Sequence, residues 1–274
     1  MDTSGMKIRE VEAALFPADG TEISKDLIEA CRLDARQGVA RLVRRYEREQ
    51  TERERVAALY AYENAAADEG YELVAGVDEA GRGPLAGPVS VAAVILPRGL
   101  FLPKLNDSKK LSPKVREELY DEIQEKAIAV SSVLVDAKTI DRVNIYQATM
   151  NGMYEAIFGL DPMPQKVLID AVHLEKLPMP EESIIKGDAK SASIAAASII
   201  AKVTRDRLMM QYDKAYPEYG FAHHKGYGTE EHMAALRKYG PCPIHRMSFS
   251  PVAMTKAWRD ALNDAVERSG HHAD

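Results

Sequence analysis

Two adjacent acids separate a short apolar run from a glycine- and proline-rich turn in residues 73–88, and this arrangement constrains the chain most. Residues 73–77 have the apolar character of a buried strand, and Asp78 and Glu79 follow directly. Burying an unpaired carboxylate costs several kcal/mol, so a cation is expected beside them, and clustered oxygen ligands favour a divalent metal. Arg82, in the turn, carries planar donors that suit phosphate. The segment therefore predicts a metal-dependent enzyme that acts on a phosphodiester.

Length and composition are those of an ordinary globular protein. The chain has 274 residues, enough for one or two domains with a sizeable core. Its net charge of −6 argues against a protein that is basic overall but leaves room for a local groove that binds nucleic acid. No apolar run is long enough to cross a bilayer, and the N-terminus has no signal-peptide core. Cys31 and Cys242 lie far apart without a CxxC partner, so we expect reduced thiols in a cytoplasmic protein with no membrane partner.

The chain divides by composition into a charged first part and a second part with strand-like segments. Residues 1–70 are predicted as an N-terminal helical extension, in which Ser24 caps a helix. Arginines and glutamates interleave in its second helix, which favours a solvated helix with i,i+4 pairs over a dedicated nucleic-acid surface. Residues 71–263 are predicted as the catalytic domain, including a C-terminal helical part, and residues 264–274 as a polar tail.

Short apolar segments alternate with helical patterns in the second part. Their periodicity predicts strands at residues 73–77, 89–96, 130–135, 166–171 and 183–186. It predicts helices at residues 114–126, 144–158 and 191–212, the last of which is apolar nearly all round at its start and should be buried. Strands that come first and then alternate with helices are typical of an α/β fold, here a mixed sheet of about five strands covered by helices on both faces.

Two further acids lie at the end of a predicted strand or just before a predicted helix. Asp170 ends the apolar run 167–169, and Asp188 precedes the buried helix. Taken singly, each is more commonly a turn or helix cap than a ligand. Ligand crevices form at strand ends along one edge of an α/β sheet, so these acids and the pair at 78–79 are expected to converge. Four carboxylates are enough to hold two divalent ions about 3.5–4 Å apart for displacement at a phosphoryl group.

Two other patterns compete with this interpretation and are set aside. Asp206 rivals Asp188 as the fourth acid. It lies about 22 Å along the predicted helix from Ser191, where that helix begins, which is too far for both acids to serve one site. Lys202, four residues earlier, offers Asp206 an ordinary ion pair. The glycines of residues 81–87 loosely resemble a dinucleotide-binding motif, but their spacing is wrong and a strand follows where a helix is required.

The sequence around residue 223 has the composition of a zinc site, with candidate ligands at His223, His224, Glu231 and His232. Their spacing fits no common structural zinc site. We therefore expect solvated loop histidines.

Six motifs occur between about residue 72 and residue 260. They are VDEAGRGPLAGPV (77–89), LNDSKKL (105–111), KGD (186–188), AAASIIAKV (195–203), HKGYGT (224–229) and HRMSF (245–249). In content and order they resemble the bacterial ribonuclease HII family, and chance does not explain six motifs in one order. Residues 1–70 also resemble extensions that some members of this family carry.

The resemblance implies a ribonuclease H-like fold and assigns roles to eight residues. The metal-binding and catalytic acids of the family correspond to Asp78, Glu79, Asp170 and Asp188. The turn that contacts the ribonucleotide at an RNA–DNA junction corresponds to Gly81, Arg82 and Gly83, and the tyrosine that stacks on the sugar beyond it corresponds to Tyr227. Backbone groups of a glycine turn suit this role because the 2′-hydroxyl that separates RNA from DNA is both donor and acceptor.

The resemblance also implies an activity, cofactors and partners. The expected enzyme is a cytoplasmic endoribonuclease that hydrolyses the RNA strand of RNA–DNA hybrids. It also cuts duplex DNA on the 5′ side of embedded ribonucleotides, leaving 3′-hydroxyl and 5′-phosphate ends. It uses two Mn²⁺ or Mg²⁺ ions, and no obligate protein partner is inferred. Two alternatives remain. Another two-metal nuclease of this fold would lack the preference for a 2′-hydroxyl. A non-catalytic hybrid-binding protein would have lost at least one of the metal-binding acids, and none of the four acids is replaced in this sequence.

One position departs from the family pattern. Ala171 follows the third acid, where the family usually has glycine. Alanine is nearly isosteric but tolerates a positive φ poorly, so this position is a candidate for a local backbone shift.

Overall fold

A mixed sheet of five strands forms the framework of the computed structural model, which describes residues 3–17 and 21–270. The strands are β1 (Val74–Ala80), β2 (Val89–Ile95), β3 (Ala129–Val135), β4 (Lys166–Asp170) and β5 (Glu181–Ile184). Their order is β3-β2-β1-β4-β5, and β1 pairs antiparallel with β2 and parallel with β4. The predicted α/β fold with a mixed five-stranded sheet and flanking helices is confirmed.

The α-helices of the described residues surround this sheet or precede it in the chain. They are α1 (Ile8–Leu15), α2 (Lys25–Leu33), α3 (Gln37–Ala58), α4 (Ala61–Asp68), α5 (Pro113–Lys126), α6 (Ala137–Val143), α7 (Ile145–Phe158), α8 (Ala192–Ala215), α9 (Phe221–His224), α10 (Glu230–Tyr239) and α11 (Ser250–Gly270). None of the helices in these residues is long and apolar enough to cross a membrane.

A side-chain cap marks the start of α2, as the sequence predicts. Ser24 Oγ accepts a hydrogen bond from Leu27 N at 3.3 Å and begins α2. The short helix α6 was not predicted, because seven residues are too few for a clear period. At the other end of the chain, α11 continues to Gly270, and residues 271–274 of the predicted polar tail lie outside the described residues.

The chain separates into two units, Met1–Ala58 and Leu59–Asp274. In the first unit, α1, α2 and α3 share a small apolar core made by Val11, Leu15, Leu27, Cys31, Val39 and Val43. Its surface carries i,i+4 ion pairs of the kind predicted from the sequence, such as Arg53 with Glu49 at 2.9 Å. These features describe a helical unit with a charged, solvated surface.

Both faces of the sheet in the second unit are covered, because alternate residues of a strand point to opposite sides. Ala75 and Val77 of β1 belong to a buried cluster with Met153 of α7. Val74 belongs to a different buried cluster, which includes Ile194 of α8. The apolar start of α8 is buried, as its sequence predicts.

The first turn of α8 packs directly on β1 at Gly76. A Cβ atom added to Gly76 would lie 2.1 Å from the carbonyl carbon of Ser193, a separation that no side chain tolerates. Only glycine permits this approach. The contact therefore fixes the start of α8 against the strand that carries Asp78.

Glu63 of α4 binds the same turn of α8. Its Oε1 accepts hydrogen bonds from Ser191 Oγ at 2.6 Å and from Ser193 N at 2.8 Å. Burial raises the pKa of Glu63. A carboxylate at this place also complements the positive end of the helix dipole. The bonds of Glu63 thus hold the N-terminus of α8 in place.

The division after Ala58 differs from the boundary near residue 70 that composition suggests, and the difference is one helix, α4. Leu59 O accepts a hydrogen bond from Ala192 N at 3.0 Å, which ties the residues before α4 to α8 as well. Composition does not reveal this attachment, because the partner of Glu63 lies 128 residues away.

We expect a chain that begins at Leu59 to unfold at a higher temperature than a chain that begins at Glu72. The shorter chain lacks Glu63 and leaves the Ser191 hydroxyl and the Ser193 amide without their buried acceptor, a loss of about 1–3 kcal/mol. Thermal unfolding followed by circular dichroism, with the full-length chain as reference, measures the difference. Equal melting temperatures of the two shortened chains would show that α4 contributes nothing to the second unit.

Candidate active site

Three carboxylates from three separate elements lie together at one edge of the sheet. Asp78 lies on β1, Asp170 ends β4, and Asp188 lies in a short 3-10 turn before α8. One oxygen of each carboxylate lies within 4.8 Å of the others. Val77 of β1 is paired with Ile169 of the parallel strand β4, so the next residue on each strand reaches the same edge. We call these three residues the acid cluster.

A backbone hydrogen bond attaches the turn that carries the third acid. Gly187 N donates to Asp170 Oδ1 at 2.7 Å, and Asp188 is the next residue. The same turn leads into α8, which packs on β1 at Gly76. The position of Asp188 therefore follows from one hydrogen bond and one close helix–strand contact.

The carboxylates of the acid cluster repel one another in a poorly solvated site. Burial, followed by the charges of Glu79 and Asp170, raises the pKa of Asp78 well above its ordinary value. Burial, followed by the charges of Asp107 and Asp170, raises the pKa of Asp188. A divalent cation offsets both costs, because it neutralises the charges and its bonds replace the lost hydration. The all-carboxylate donor set fits a hard metal ion.

Glu79, the remaining predicted acid, lies beside the acid cluster but outside the group of three. Its Oε1 is 3.5 Å from Arg82 Nη1. Burial raises the pKa of Glu79, and Arg82 opposes that shift. The prediction that the strand stops before the acids is wrong, since β1 continues to Ala80 and pairs Glu79 with Val91 of β2. The antiparallel neighbour supplies backbone partners beyond the point where β4 ends.

Asp206, the rejected rival, is not part of the acid cluster. Its Oδ1 accepts a hydrogen bond from Lys202 Nζ at 2.7 Å. The i,i+4 ion pair predicted for Asp206 is therefore present on α8.

The glycine turn and Tyr227 form one surface. A Cβ atom added to Gly83 would lie 3.7 Å from Tyr227 Cε1, so the ring stands beside the turn. Tyr227 is 45% exposed, which leaves part of the ring open to a ligand. Gly81 has a φ of 93°, and a Cβ atom there would lie 2.1 Å from Arg205 Nε, so only glycine fits. The structure thus brings the predicted substrate-binding residues together.

Comparison with known proteins identifies the family. Residues 75–252 match the family described as Ribonuclease HII, and residues 7–67 match the Ribonuclease HII N-terminal domain. The chain belongs to the ribonuclease HII family. It is 52% identical over 245 residues to ribonuclease HII of Enterococcus faecalis, covering 88% of this chain and 94% of that protein. It is 49% identical over 251 residues to ribonuclease HII of Acetivibrio thermocellus, covering 89% of this chain and 97% of that protein.

A solved structure agrees with this family membership. The crystal structure of ribonuclease H2 from Pyrococcus horikoshii OT3 superposes with a TM-score of 0.58 and 28% sequence identity. The match covers 67% of this chain and 97% of the archaeal one. The ribonuclease H-like fold is confirmed, and the chain is an enzyme, a hydrolase of the ribonuclease H group.

Buried histidines support the Tyr227 loop of this ribonuclease HII family member. The expectation of solvated loop histidines is wrong for His224 and His232, which are buried together with His245. Phe221 packs against all three rings at centroid distances of 5.5–5.9 Å. The polar local sequence gives no sign of this burial, because the packing comes from separate segments.

Hydrogen bonds to one backbone amide and one backbone carbonyl indicate the tautomers of two of these rings. Cys242 N donates to His245 Nδ1 at 2.9 Å, which is shorter than the 3.3 Å between this nitrogen and Cys242 O. The shorter contact favours a proton on His245 Nε2, which lies 3.0 Å from His232 Nε2. His232 therefore carries its proton on Nδ1, which donates to Tyr227 O at 2.9 Å. Burial lowers the pKa of both His232 and His245 to about 4, so both rings are neutral at neutral pH. A neutral hydrogen-bond series thus holds the Tyr227 carbonyl.

Sequence reasoning assigned no role to three cations near the site. Lys109 Nζ lies 3.7 Å from a carboxylate oxygen of Asp188. Partial burial lowers the pKa of Lys109, but Asp188 and Asp78 raise it on balance. Arg205 and Arg246 are buried at the glycine turn. For Lys109 and Arg246 a signal was available, since each lies in one of the quoted family motifs, LNDSKKL and HRMSF. Arg205 lies in none of them, and its partners are more than 100 residues away along the chain.

Ala171 adopts the backbone conformation that its family counterpart, glycine, favours. Its φ is 50°, in the left-handed region. Alanine there carries a strain of about 1–2 kcal/mol. Its amide still donates to Ile184 O at 3.1 Å, so the link between the end of β4 and β5 is kept.

Mn²⁺ is expected to raise the melting temperature, because an ion that binds only the folded state stabilises it by about 2.7 kcal/mol at one hundred times its dissociation constant. The increase should be larger near pH 8 than near pH 5, since the raised pKa of Asp78 and of Asp188 lets protons compete with metal at the lower pH. Asp188→Asn should lose most of the increase, and Asp206→Asn, the matched control, should keep it. Differential scanning fluorimetry measures these shifts, and equal increases in both variants would contradict the site.

Proposed function

We propose that this protein is an endoribonuclease that cuts the RNA strand of RNA–DNA hybrids and cuts duplex DNA on the 5′ side of an embedded ribonucleotide. The observation that carries the proposal is the acid cluster, with oxygens within 4.8 Å of one another, in a chain whose glycine turn lies beside Tyr227. Membership of the ribonuclease HII family supports it, as do relatives of 52% and 49% identity that the chain matches over nearly their whole length.

The donor set of the site suits two divalent cations such as Mg²⁺ or Mn²⁺. Asp78, Asp170 and Asp188 would supply oxygen ligands, and Glu79, the neighbour of Asp78 on β1, would supply a fourth. Carboxylate oxygens favour hard cations over softer ones such as zinc. When bound, two such ions activate a water molecule and stabilise the leaving 3′ oxygen.

Two cationic side chains supply attraction for the phosphate backbone. Lys109 lies 3.7 Å from Asp188, and Arg82 lies 3.5 Å from Glu79, and both cations are substantially exposed. Cations at the rim of an acidic site offset the repulsion between its carboxylates and the phosphates of a nucleic acid. Lys109 and Arg82 would therefore hold the backbone beside the acids without binding the metal themselves.

The glycine turn and Tyr227 would provide the preference for a ribonucleotide. Gly81 and Gly83 have no side chains, so the backbone can approach a sugar closely and bond to its 2′-hydroxyl. The exposed part of the Tyr227 ring offers a stacking surface for the next nucleotide. Of these two features, only the turn would distinguish RNA from DNA.

Water, and not the 2′-hydroxyl of the substrate, is the proposed nucleophile. In a duplex with one embedded ribonucleotide, the nucleotide upstream of the cut is DNA and has no 2′-hydroxyl to attack the phosphorus. Attack by water on that phosphate leaves a 3′-hydroxyl upstream and a 5′-phosphate on the ribonucleotide. The same chemistry applied to an RNA–DNA hybrid yields the same ends.

We expect the protein, with Mn²⁺, to cut a duplex that carries one ribonucleotide and to leave the matching all-DNA duplex intact. Asp78→Asn and Asp188→Asn should abolish cutting while circular dichroism shows a retained fold, because each removes a charged ligand. Asp206→Asn should retain most activity, since a helix ion pair contributes only about 0.3–0.5 kcal/mol. Gel analysis of labelled strands measures the cutting, and mass spectrometry of hybrid products identifies the ends.

Each contrary result points to a different error. Cutting of the all-DNA duplex would favour a nuclease of this fold without 2′-hydroxyl preference. An active Asp188→Asn with an inactive Asp206→Asn would overturn the assignment of the acids. A 2′,3′-cyclic phosphate among the hybrid products would mean that the substrate's own 2′-hydroxyl attacks.

A further inference from the structure

Two arginines are buried at the glycine turn without a carboxylate partner among the described residues. Arg205 of α8 is 1% exposed, and Arg246, which precedes α11, is 0% exposed. Burial lowers the pKa of each, but a guanidinium stays charged at neutral pH. Burying two unpaired charges is costly unless polar groups compensate them. Part of the compensation comes from aromatic rings, since Arg246 lies 5.1 Å from the ring centre of Phe249 and Arg205 lies 6.0 Å from that of Tyr227. The hydrogen-bonding part comes from the backbone.

Five hydrogen bonds connect these guanidiniums to carbonyl oxygens of one turn. They link Arg246 to Gly81 O at 2.6 Å, Arg82 O at 2.8 Å and Gly87 O at 3.0 Å, and Arg205 to Pro88 O at 2.9 Å and Ala86 O at 3.1 Å. Arg246 therefore holds the first two residues of the Gly81-Arg82-Gly83 sequence, and Arg205 holds the far end of the turn.

Holding a carbonyl also sets the direction of the next amide. In a planar trans peptide, the C=O of one residue and the N–H of the next point in opposite directions. Because the carbonyls of Gly81 and Arg82 point at Arg246, the N–H groups of Arg82 and Gly83 point away from it. In the part of the chain that the structure describes, neither amide donates to a backbone carbonyl, whereas the later amide of Leu85 does.

We propose that Arg246 is a positioning residue for ribonucleotide recognition, which holds the carbonyls of Gly81 and Arg82 so that the amides of Arg82 and Gly83 face the 2′-hydroxyl. The inference rests on the proposed function, in which this turn contacts the ribonucleotide. A guanidinium suits the task because its planar fork reaches three carbonyls in fixed directions, whereas an ammonium is a compact point charge. Arg205 makes no hydrogen bond to the carbonyls of Gly81 or Arg82.

A role confined to packing would have a different signature. If Arg246 only supported the core, loss of its fork would lower stability and weaken the binding of any duplex by the same factor. If Arg246 orients the two amides, loss of the fork weakens binding only where a 2′-hydroxyl is present. The ratio of affinities for two duplexes that differ in one hydroxyl separates these roles.

The test uses Arg246→Lys, which keeps the charge and removes the fork. Affinities for a duplex with one ribonucleotide and for the matching all-DNA duplex are measured in divalent-free buffer, where no cutting occurs. We expect the preference for the ribonucleotide duplex to fall by about tenfold, which is the effect on affinity of losing one or two hydrogen bonds. The affinity for the all-DNA duplex should stay unchanged within about twofold. Arg259→Lys is the matched control. Arg259 also donates to two backbone carbonyls, those of Arg237 at 2.9 Å and Lys238 at 2.7 Å, but these lie at the end of α10 and not in the glycine turn.

An unchanged preference in Arg246→Lys overturns the proposal, and so does an equal loss of affinity for both duplexes. A wild-type protein that binds both duplexes equally would instead overturn the proposed function, and this proposal with it. If Arg246→Lys does not fold, hydrogen exchange of the wild type decides. Amides 82 and 83 should exchange more slowly with the ribonucleotide duplex than with the all-DNA duplex, and equal protection overturns the proposal.

Discussion

The contact between Gly76 and the first turn of α8 holds Asp188 beside the carboxylates of β1 and β4. A Cβ atom at Gly76 would overlap Ser193, so any larger residue would push the helix and the turn before it away from the sheet. Glu63 holds the amide of Ser193 at 2.8 Å. Because metal ligands must lie within about 0.2 Å of their proper distances, this helix–strand separation decides whether three acids form one site.

Two kinds of buried charge lie near the glycine turn, and among the described residues neither kind is fully neutralised by ion pairs. The acid cluster places like charges together, which a divalent cation relieves. The guanidiniums of Arg205 and Arg246 are compensated by carbonyl dipoles and by the rings of Tyr227 and Phe249, and no carboxylate among the described residues pairs with them, so their positive charge is not cancelled. Cation binding and phosphate binding are therefore favoured side by side, which is the combination that phosphodiester hydrolysis needs.

How much of this site the sequence predicts depends on how far apart the partners lie along the chain. Strand ends and helix starts are local features, so apolar segments predict the sheet and the acids at its edge, and the pair of Lys202 with Asp206, four residues apart, is present as expected. Arg246 and Gly81 lie 165 residues apart, and no periodicity connects them. The burial of His224 and His232 was not predicted for the same reason, because residues from separate segments cover them. The role proposed for Tyr227 rests on family resemblance, because no local pattern marks a tyrosine as a ligand.

The most direct test of the metal site is anomalous diffraction from crystals of the protein soaked in Mn²⁺. We predict a manganese peak at direct coordination distance, about 2.1 Å, from carboxylate oxygens of Asp78, Asp170 and Asp188. We predict no peak at Asp206, whose carboxylate is paired with Lys202. An empty acid cluster at saturating Mn²⁺, or a peak at Asp206 alone, would contradict the assignment of these acids as the metal ligands.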